Sequence, residues 1–244
     1  MKKCLYCAEE IKEDAIKCRY CKEWLQDKET IVTDIDEPGT VTDIDGNSYK
    51  TVKIGKQIWI AENLKVTHYR NGDSIPNITD NDDWANTEDG AYCNYDNDED
   101  NVKTYGRLYN WFTVDDKRVL APKGWHIPTD EEWKELGYYL GRPEVAGGKL
   151  KSIGTKGNRD GLWETPNVGA TNESGFSALP CGDREEENGN YILAGGISSF
   201  WTSTEGNDPN KIMAWIYSLV YLSPGFLRAG MDKKGGLSVR CIKE

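Results

Sequence analysis

Four cysteines near the start of the chain carry its most specific chemistry. Cys4-x-x-Cys7 and Cys18-x-x-Cys21 are separated by ten residues. Each pair can form a tight turn that aims two thiolates at one ion. Two such turns complete the tetrahedral donor set that structural zinc takes. Two disulfides or a redox dithiol are the competing readings. A cytoplasmic chain disfavours stable disulfides, and a redox motif has no reason to come twice. A segment this short cannot bury a self-sufficient core, so one Zn2+ would supply its folding energy.

Elsewhere the residues that do chemistry are sparse. The only histidines are His68 and His126. His126 lies between a tryptophan and a helix cap, the place of a hydrogen-bonded structural histidine. Cys93, Cys181 and Cys241 are far apart in sequence, and small buried thiols are the expectation for them. There is no glycine-rich phosphate loop followed by Lys-Ser/Thr and no Gly-x-Ser-x-Gly elbow. Ten acids fall between Asp73 and Asp100, with no Lys or Arg from residue 71 to 102. Oxygen ligands for Ca2+ are therefore plentiful, but a solvated acidic loop, pinned by Trp84 and Tyr92, is the commoner outcome and the one expected. Asp43-x-Asp45-Gly46-Asn47 fails as an EF-hand, because its twelfth position is Ile54 where a bidentate glutamate is needed.

Aromatic residues and arginine are the types that dominate binding hot spots. Trp201, Trp215, Tyr217, Tyr221, Phe226 and Arg228 crowd the last third of the chain. Alternate residues of a strand face the core, so about half of this set is expected to be packing. Recognition is assigned to the exposed members of Trp201, Trp215, Tyr217, Tyr221 and Arg228, with the Ser223-Pro224-Gly225 turn presenting Phe226 and Arg228.

The element that must position these residues is centred on Thr129. Its hydroxyl can cap a helix, and Glu132 can reach back to its backbone N–H, the capping-box arrangement. Trp133, Leu136 and Leu140 recur on one face, and Gly141 and Pro143 end the helix. A second helix is predicted over 105–114, with Leu108, Trp111 and Phe112 on one side. Strands are predicted around the Asp45-Gly46 and Gly55-Lys56 turns, at 191–193, 199–203 and 213–219, and at 237–242, the last returning to the first hairpin to close the domain. Residues 141–175 read as loop, punctuated by Gly147-Gly148 and later glycines. Residues 26–39 read as a linker. In it Val32-Thr33-Asp34-Ile35-Asp36 is echoed by Val41-Thr42-Asp43-Ile44-Asp45, as a hairpin or as extended chain.

Composition bounds the rest. The chain has 244 residues, 29% charged, with nine tryptophans and thirteen tyrosines to build a core. Its net charge of −11 argues against nucleic acid as the partner of the large domain. No apolar run is long enough to cross a membrane. A soluble, cytoplasmic protein is the expectation.

Several runs resemble known families. Residues 1–25 resemble a short bacterial zinc ribbon, with Leu5 in place of the usual proline and Lys22 in place of the usual glycine. Trp125-His126-Ile127-Pro128-Thr129-Asp130-Glu131-Glu132-Trp133 resembles the Fibrobacter succinogenes major paralogous domain. So do the runs from Asp45 to Tyr49 and Ile58 to Leu64, from Tyr105 to Trp111, from Asn172 to Pro180, and the closing Ser238-Val239-Arg240-Cys241. They occur in the family's order over residues 40–244. The resemblance implies an α+β, C-type-lectin-like fold related to the formylglycine-generating enzyme scaffold, with two helices and short antiparallel strands. Cys181 and Asp183 depart from the family's usual glycine and aromatic residue.

The resemblance carries no activity with it. The histidine cluster and the C-terminal cysteine pair of oxidising relatives have no counterpart here, nor do the Glu-Pro-Asn or Gln-Pro-Asp motifs of sugar-binding lectins. The expectation is a non-catalytic protein, with the ribbon as docking module and the lectin-like domain recognising a protein or other ligand. An enzyme on the formylglycine-generating scaffold and a purely structural interaction protein are the alternatives.

Overall fold

The computed structural model describes residues 39–244 and, before them, residues 2–3, 9–12 and 19–21. The chain divides into two units, Met1–Glu37 and Pro38–Glu244. In the smaller unit β1 (Lys2–Lys3) pairs antiparallel with β2 (Glu10–Ile11). Cys4, Cys7 and Cys18, and the first copy of the repeat at 32–36, lie outside the described residues.

The larger unit opens on β3 (Thr40–Thr42), β4 (Ser48–Ile54) and β5 (Gln57–Ile60), a meander turned at Asp45-Gly46 and Gly55-Lys56. Asp43 fixes the first turn: its carboxylate accepts from the backbone N–H groups of Asp45 and Asn47 and from the Tyr49 hydroxyl at 2.6 Å. The acidic stretch is more ordered than its composition suggests. It holds α1 (Asn81–Asn86), β6 (Tyr92–Cys93) and α2 (Glu99–Tyr105). Asp80 and Asp98 cap the two helices, so part of the acidity is capping chemistry. Trp84 and Tyr92 are buried and pin the stretch as expected.

The single helix predicted over 105–114 is corrected. Gly106 adopts φ +75° and ends α2. The chain then runs through β7 (Leu108–Tyr109), paired with β6, before Asn110 caps the four-residue α3 (Trp111–Val114). A side chain at position 106 would meet Asn63 and the Leu64 carbonyl, so a glycine is required there.

After β8 (Trp125–His126) comes α4 (Asp130–Tyr139), with the capping box in place. Thr129 Oγ1 accepts from the Glu132 N–H at 3.2 Å, and Glu132 Oε2 accepts from the Thr129 N–H at 2.8 Å. The other oxygen of Glu132 bonds His126 Nε2 at 2.8 Å, so one side chain ties β8 to the helix. Trp133 on α4 is fully buried. It stacks on Tyr217 with ring centroids 5.1 Å apart and meets Trp59 edge-on at 5.0 Å. Phe176, Phe200 and Phe226 complete this cluster.

The stretch read as loop from 141 holds a further helix, α5 (Pro143–Leu150). Gly147 and Gly148 serve packing there. A Cβ at Gly147 would lie 2.1 Å from the Gly225 carbonyl oxygen, and one at Gly148 would lie 2.1 Å from that of Gly169. The remaining strands are β9 (Asp183–Arg184) with β10 (Tyr191–Ile192), then β11 (Ile197–Glu205), β12 (Met213–Val220) and β13 (Phe226–Asp232), which form an antiparallel sheet in that order. The last strand, β14 (Ile242–Lys243), enters the first sheet between β5 and β8, so the end of the domain closes on its beginning as predicted. The fold is mixed, with few helices and antiparallel sheets.

Several largely buried cations hold loops in place by donating to main-chain carbonyls. Lys151 Nζ donates to the carbonyls of Val168, Val220 and Ser223, each at 2.9 Å. Arg184 reaches those of Ile78, Thr79, Asp80 and Gly189. Arg70 reaches those of Ala121, Pro122 and Trp125.

Candidate functional site

The aromatic set of the last third divides by burial. Trp201 on β11 is fully buried, and its Nε1 donates to the Tyr109 carbonyl at 2.7 Å. Tyr217 is buried under α4, and Phe226 packs into the same cluster, where Gly137 leaves room for its ring. These three are core residues, which removes Trp201 and Tyr217 from the predicted recognition face. The turn at 223–225 does not present Phe226. Tyr221 is half-buried against the aromatic cluster.

Trp215 and Arg228 remain at the surface. They are diagonal neighbours, since Tyr217 pairs with Arg228 and Trp215 with Gly230. The Arg228 guanidinium lies 3.3 Å from the centre of the Trp215 ring. It also grips Asp130, the first residue of α4, through Nε at 2.6 Å and Nη2 at 2.8 Å. Lys134 and the Tyr217 hydroxyl bond the same carboxylate. Burial acts to raise the pKa of Asp130, but bonds from Arg228, Lys134 and Tyr217 outweigh it and bring it down to about 2. The result is a pre-organised aromatic–guanidinium platform on a sheet anchored to a capped helix.

A second place is a cleft of about 320 Å³ that sequence reasoning missed. Its lining includes Glu62, Asn63, Lys65, Lys103, Ser177 and Arg240. Asn63 belongs to the run ending at Leu64, Gly106 at the cleft wall to the run from Tyr105, Ser177 to the run from Asn172, and Arg240 to the closing run. Four separated stretches thus meet at one opening. Arg240 is 2% exposed. Its Nε donates to Asn63 Oδ1 at 2.6 Å, and Nη1 to the carbonyls of Ile60 and Phe176 at 3.1 and 3.0 Å. Nη2 makes one longer contact, 3.5 Å to the Ser177 carbonyl. Desolvation lowers the Arg240 pKa but leaves the group charged at neutral pH. Behind Asn63 stand Ser238 Oγ at 3.0 Å and Cys181 Sγ at 3.8 Å.

A third place is a cleft of about 400 Å³ lined by Glu88, Asp89, Asp115 and Asp116 with Trp111, Phe112 and Arg118. Arg118 pairs with Asp116 at 2.6 Å and with Asp73 at 3.5 Å. Among the described residues no group of three or more His, Cys, Asp or Glu is arranged to hold a metal ion. Cys93, Cys181 and Cys241 are buried thiols, and burial pushes the pKa of each up, away from the reactive thiolate. His126 is the structural histidine expected, and His68 bonds Asp45 at 2.6 Å.

The profile of the Fibrobacter succinogenes major domain matches residues 52–243. The chain belongs to that family. The Fibrobacter succinogenes major domain therefore begins within β4, ends in β14, and contains both the Trp215–Arg228 platform and the Arg240 cleft. The cysteine pairs and the Asp45–Tyr49 run precede the matched residues. No curated protein and no solved structure matches the chain.

Proposed function

We propose that the chain is a non-catalytic recognition protein of the cytoplasm. In this reading the Fibrobacter succinogenes major domain is a C-type-lectin-like module that binds a protein partner through Trp215 and Arg228. Cys4, Cys7, Cys18 and Cys21 hold one structural Zn2+ in a ribbon that serves as a docking module. Four thiolates are a donor set suited to zinc, which would supply that segment's folding energy. The lectin-like assignment draws support from the closure of β14 beside the opening hairpin and from the small number of helices in a largely antiparallel fold.

One observation carries the binding reading: Arg228 is fixed by Asp130 over a half-buried tryptophan at the surface, so little side-chain entropy is lost when a partner covers the pair. The raised pKa values of the three buried thiols favour recognition over nucleophilic chemistry.

The test is affinity capture with the full chain, its Trp215→Ala variant, its Arg228→Lys variant and a chain starting at Thr40, each scored alongside a thermal melt. Trp215→Ala should keep the fold and lose the captured partner, since truncating a hot-spot residue costs about 2 kcal/mol or more. Trp201→Ala should instead lower the melting temperature sharply. Capture that survives Trp215→Ala undiminished would place recognition elsewhere.

A further inference from the structure

The Arg240 cleft has the makings of a ligand site distinct from the Trp215–Arg228 platform. A buried guanidinium is ordinarily paired with a carboxylate, because an unpaired charge taken out of water is costly. Among the described residues Arg240 has no such partner. Its Nε and Nη1 bonds go to an amide and two main-chain carbonyls. Among the described residues one N–H of Nη2 has no acceptor, and the one bond Nη2 makes, to the Ser177 carbonyl, is the least buried of the set.

The acid within electrostatic reach, Glu62, is already engaged. It accepts from the Lys50 N–H at 3.0 Å and the Lys65 ammonium at 3.1 Å. Lys103, also at the cleft, is largely exposed and pairs loosely with Asp100, at 3.6 Å. The lining of this opening of about 320 Å³ thus carries three cations and one carboxylate, and the nearby Asp100 leaves the cations still in excess, in a chain whose net charge is −11. That local reversal of sign is the feature to be explained.

We infer that this cleft binds an oxyanion, the carboxylate or phosphate group of a small polar molecule, with Nη2 of Arg240 as the buried donor and Lys65 and Lys103 as the outer cations. The floor is rigid, since Arg240 is held by Asn63 and the Ile60 carbonyl of one stretch and by the Phe176 carbonyl of another. The volume suits a metabolite-sized ligand, near the lower end of known small-molecule sites. A polyanion is disfavoured: the repulsion of the whole chain grows with ligand charge, whereas the cleft supplies only three cations.

The experiment uses the full chain, titrated with inorganic phosphate, acetate and succinate at constant ionic strength with chloride as reference. Binding is read by calorimetry and by shift in melting temperature. At least one oxyanion should stabilise the chain beyond chloride, and the arm that responds tells phosphate from carboxylate. The Lys65→Ala/Lys103→Ala variant should fold and bind roughly tenfold more weakly or worse, the scale of a lost charge-assisted hydrogen bond. Glu62→Gln should bind more tightly, because it removes the competing charge. Lys117→Ala, on an exposed residue outside the cleft, should bind as the wild type does. The inference is overturned if no oxyanion is distinguished from chloride, or if the double lysine variant responds as the wild type does.

Discussion

Replacing Asp183 with asparagine should stabilise the folded chain at neutral and alkaline pH. Asp183 lies on β9 with 5% of its surface exposed. Its Oδ2 accepts from Ser199 Oγ at 2.7 Å, and Ser199 in turn meets Ser218 Oγ at 2.9 Å. Oδ1 has no partner among the described residues. Burial raises the pKa of this carboxyl from 3.8 to about 7, against the smaller opposing effect of Ser199. The folded-state value lies above the unfolded one, so the folded chain binds more protons between them. Stability therefore falls as pH rises through the window from 3.8 to about 7.

The full shift corresponds to an upper bound of about 4 kcal/mol above that window. The substituted asparagine keeps the shape and the acceptor for Ser199 but carries no charge. The stability of Asp183→Asn relative to the wild type should therefore grow by about 2.5 kcal/mol between about pH 5 and about pH 8. Urea unfolding followed by tryptophan fluorescence measures this. The signal reports the large unit, because only Trp24 lies outside it. A variant equally destabilised at both pH values would refute the reasoning. It would mean that Asp183 is ionised and satisfied in the fold.

Three further outcomes are expected. Arg228→Ala should cost about 1 kcal/mol at neutral pH, allowing for solvent screening, and should move acid unfolding to higher pH. The sign follows because the depressed pKa of Asp130 gives stability that is present above 3.8 and lost as pH falls toward about 2; a pH-dependent melt checks it. Gly147→Ala should destabilise by about 3 kcal/mol, the upper end of overpacking, because its Cβ would press on the main chain at Gly225; thermal unfolding measures this. Chelation, or Cys4→Ser with Cys18→Ser, should remove one zinc per chain by metal analysis while the near-ultraviolet dichroism of the tryptophan-rich domain is retained.

What the sequence disclosed was mostly local. The Thr129–Glu132 box, the two early turns and the role of His126 depend on residues within a few positions of one another. Capping and turn chemistry suffice to read them. The helix at 143–150 was hidden because Gly147-Gly148 resembles loop punctuation, whereas the glycines answer to Gly225 and Gly169, far along the chain. The division of the aromatic set was hidden for a similar reason. Trp215 and Tyr217 share a strand face, yet only Tyr217 lies beneath Trp133 of α4. The Arg240 cleft draws on four stretches between Asn63 and Arg240, each unremarkable until the fold brings them together.

The cations that hold the loops bear on how this domain can change. Lys151, Arg184 and Arg70 bind loop segments largely through carbonyl oxygens. Every residue type presents the same carbonyl, so these clamps read the path of a loop and not its lettering. The side chain of the exposed Thr79, for one, can be exchanged without removing the carbonyl that Arg184 holds. Loop course and loop sequence are thereby uncoupled where an exposed side chain stands on a clamped carbonyl. A scaffold built in this way can present new side chains on an old trace.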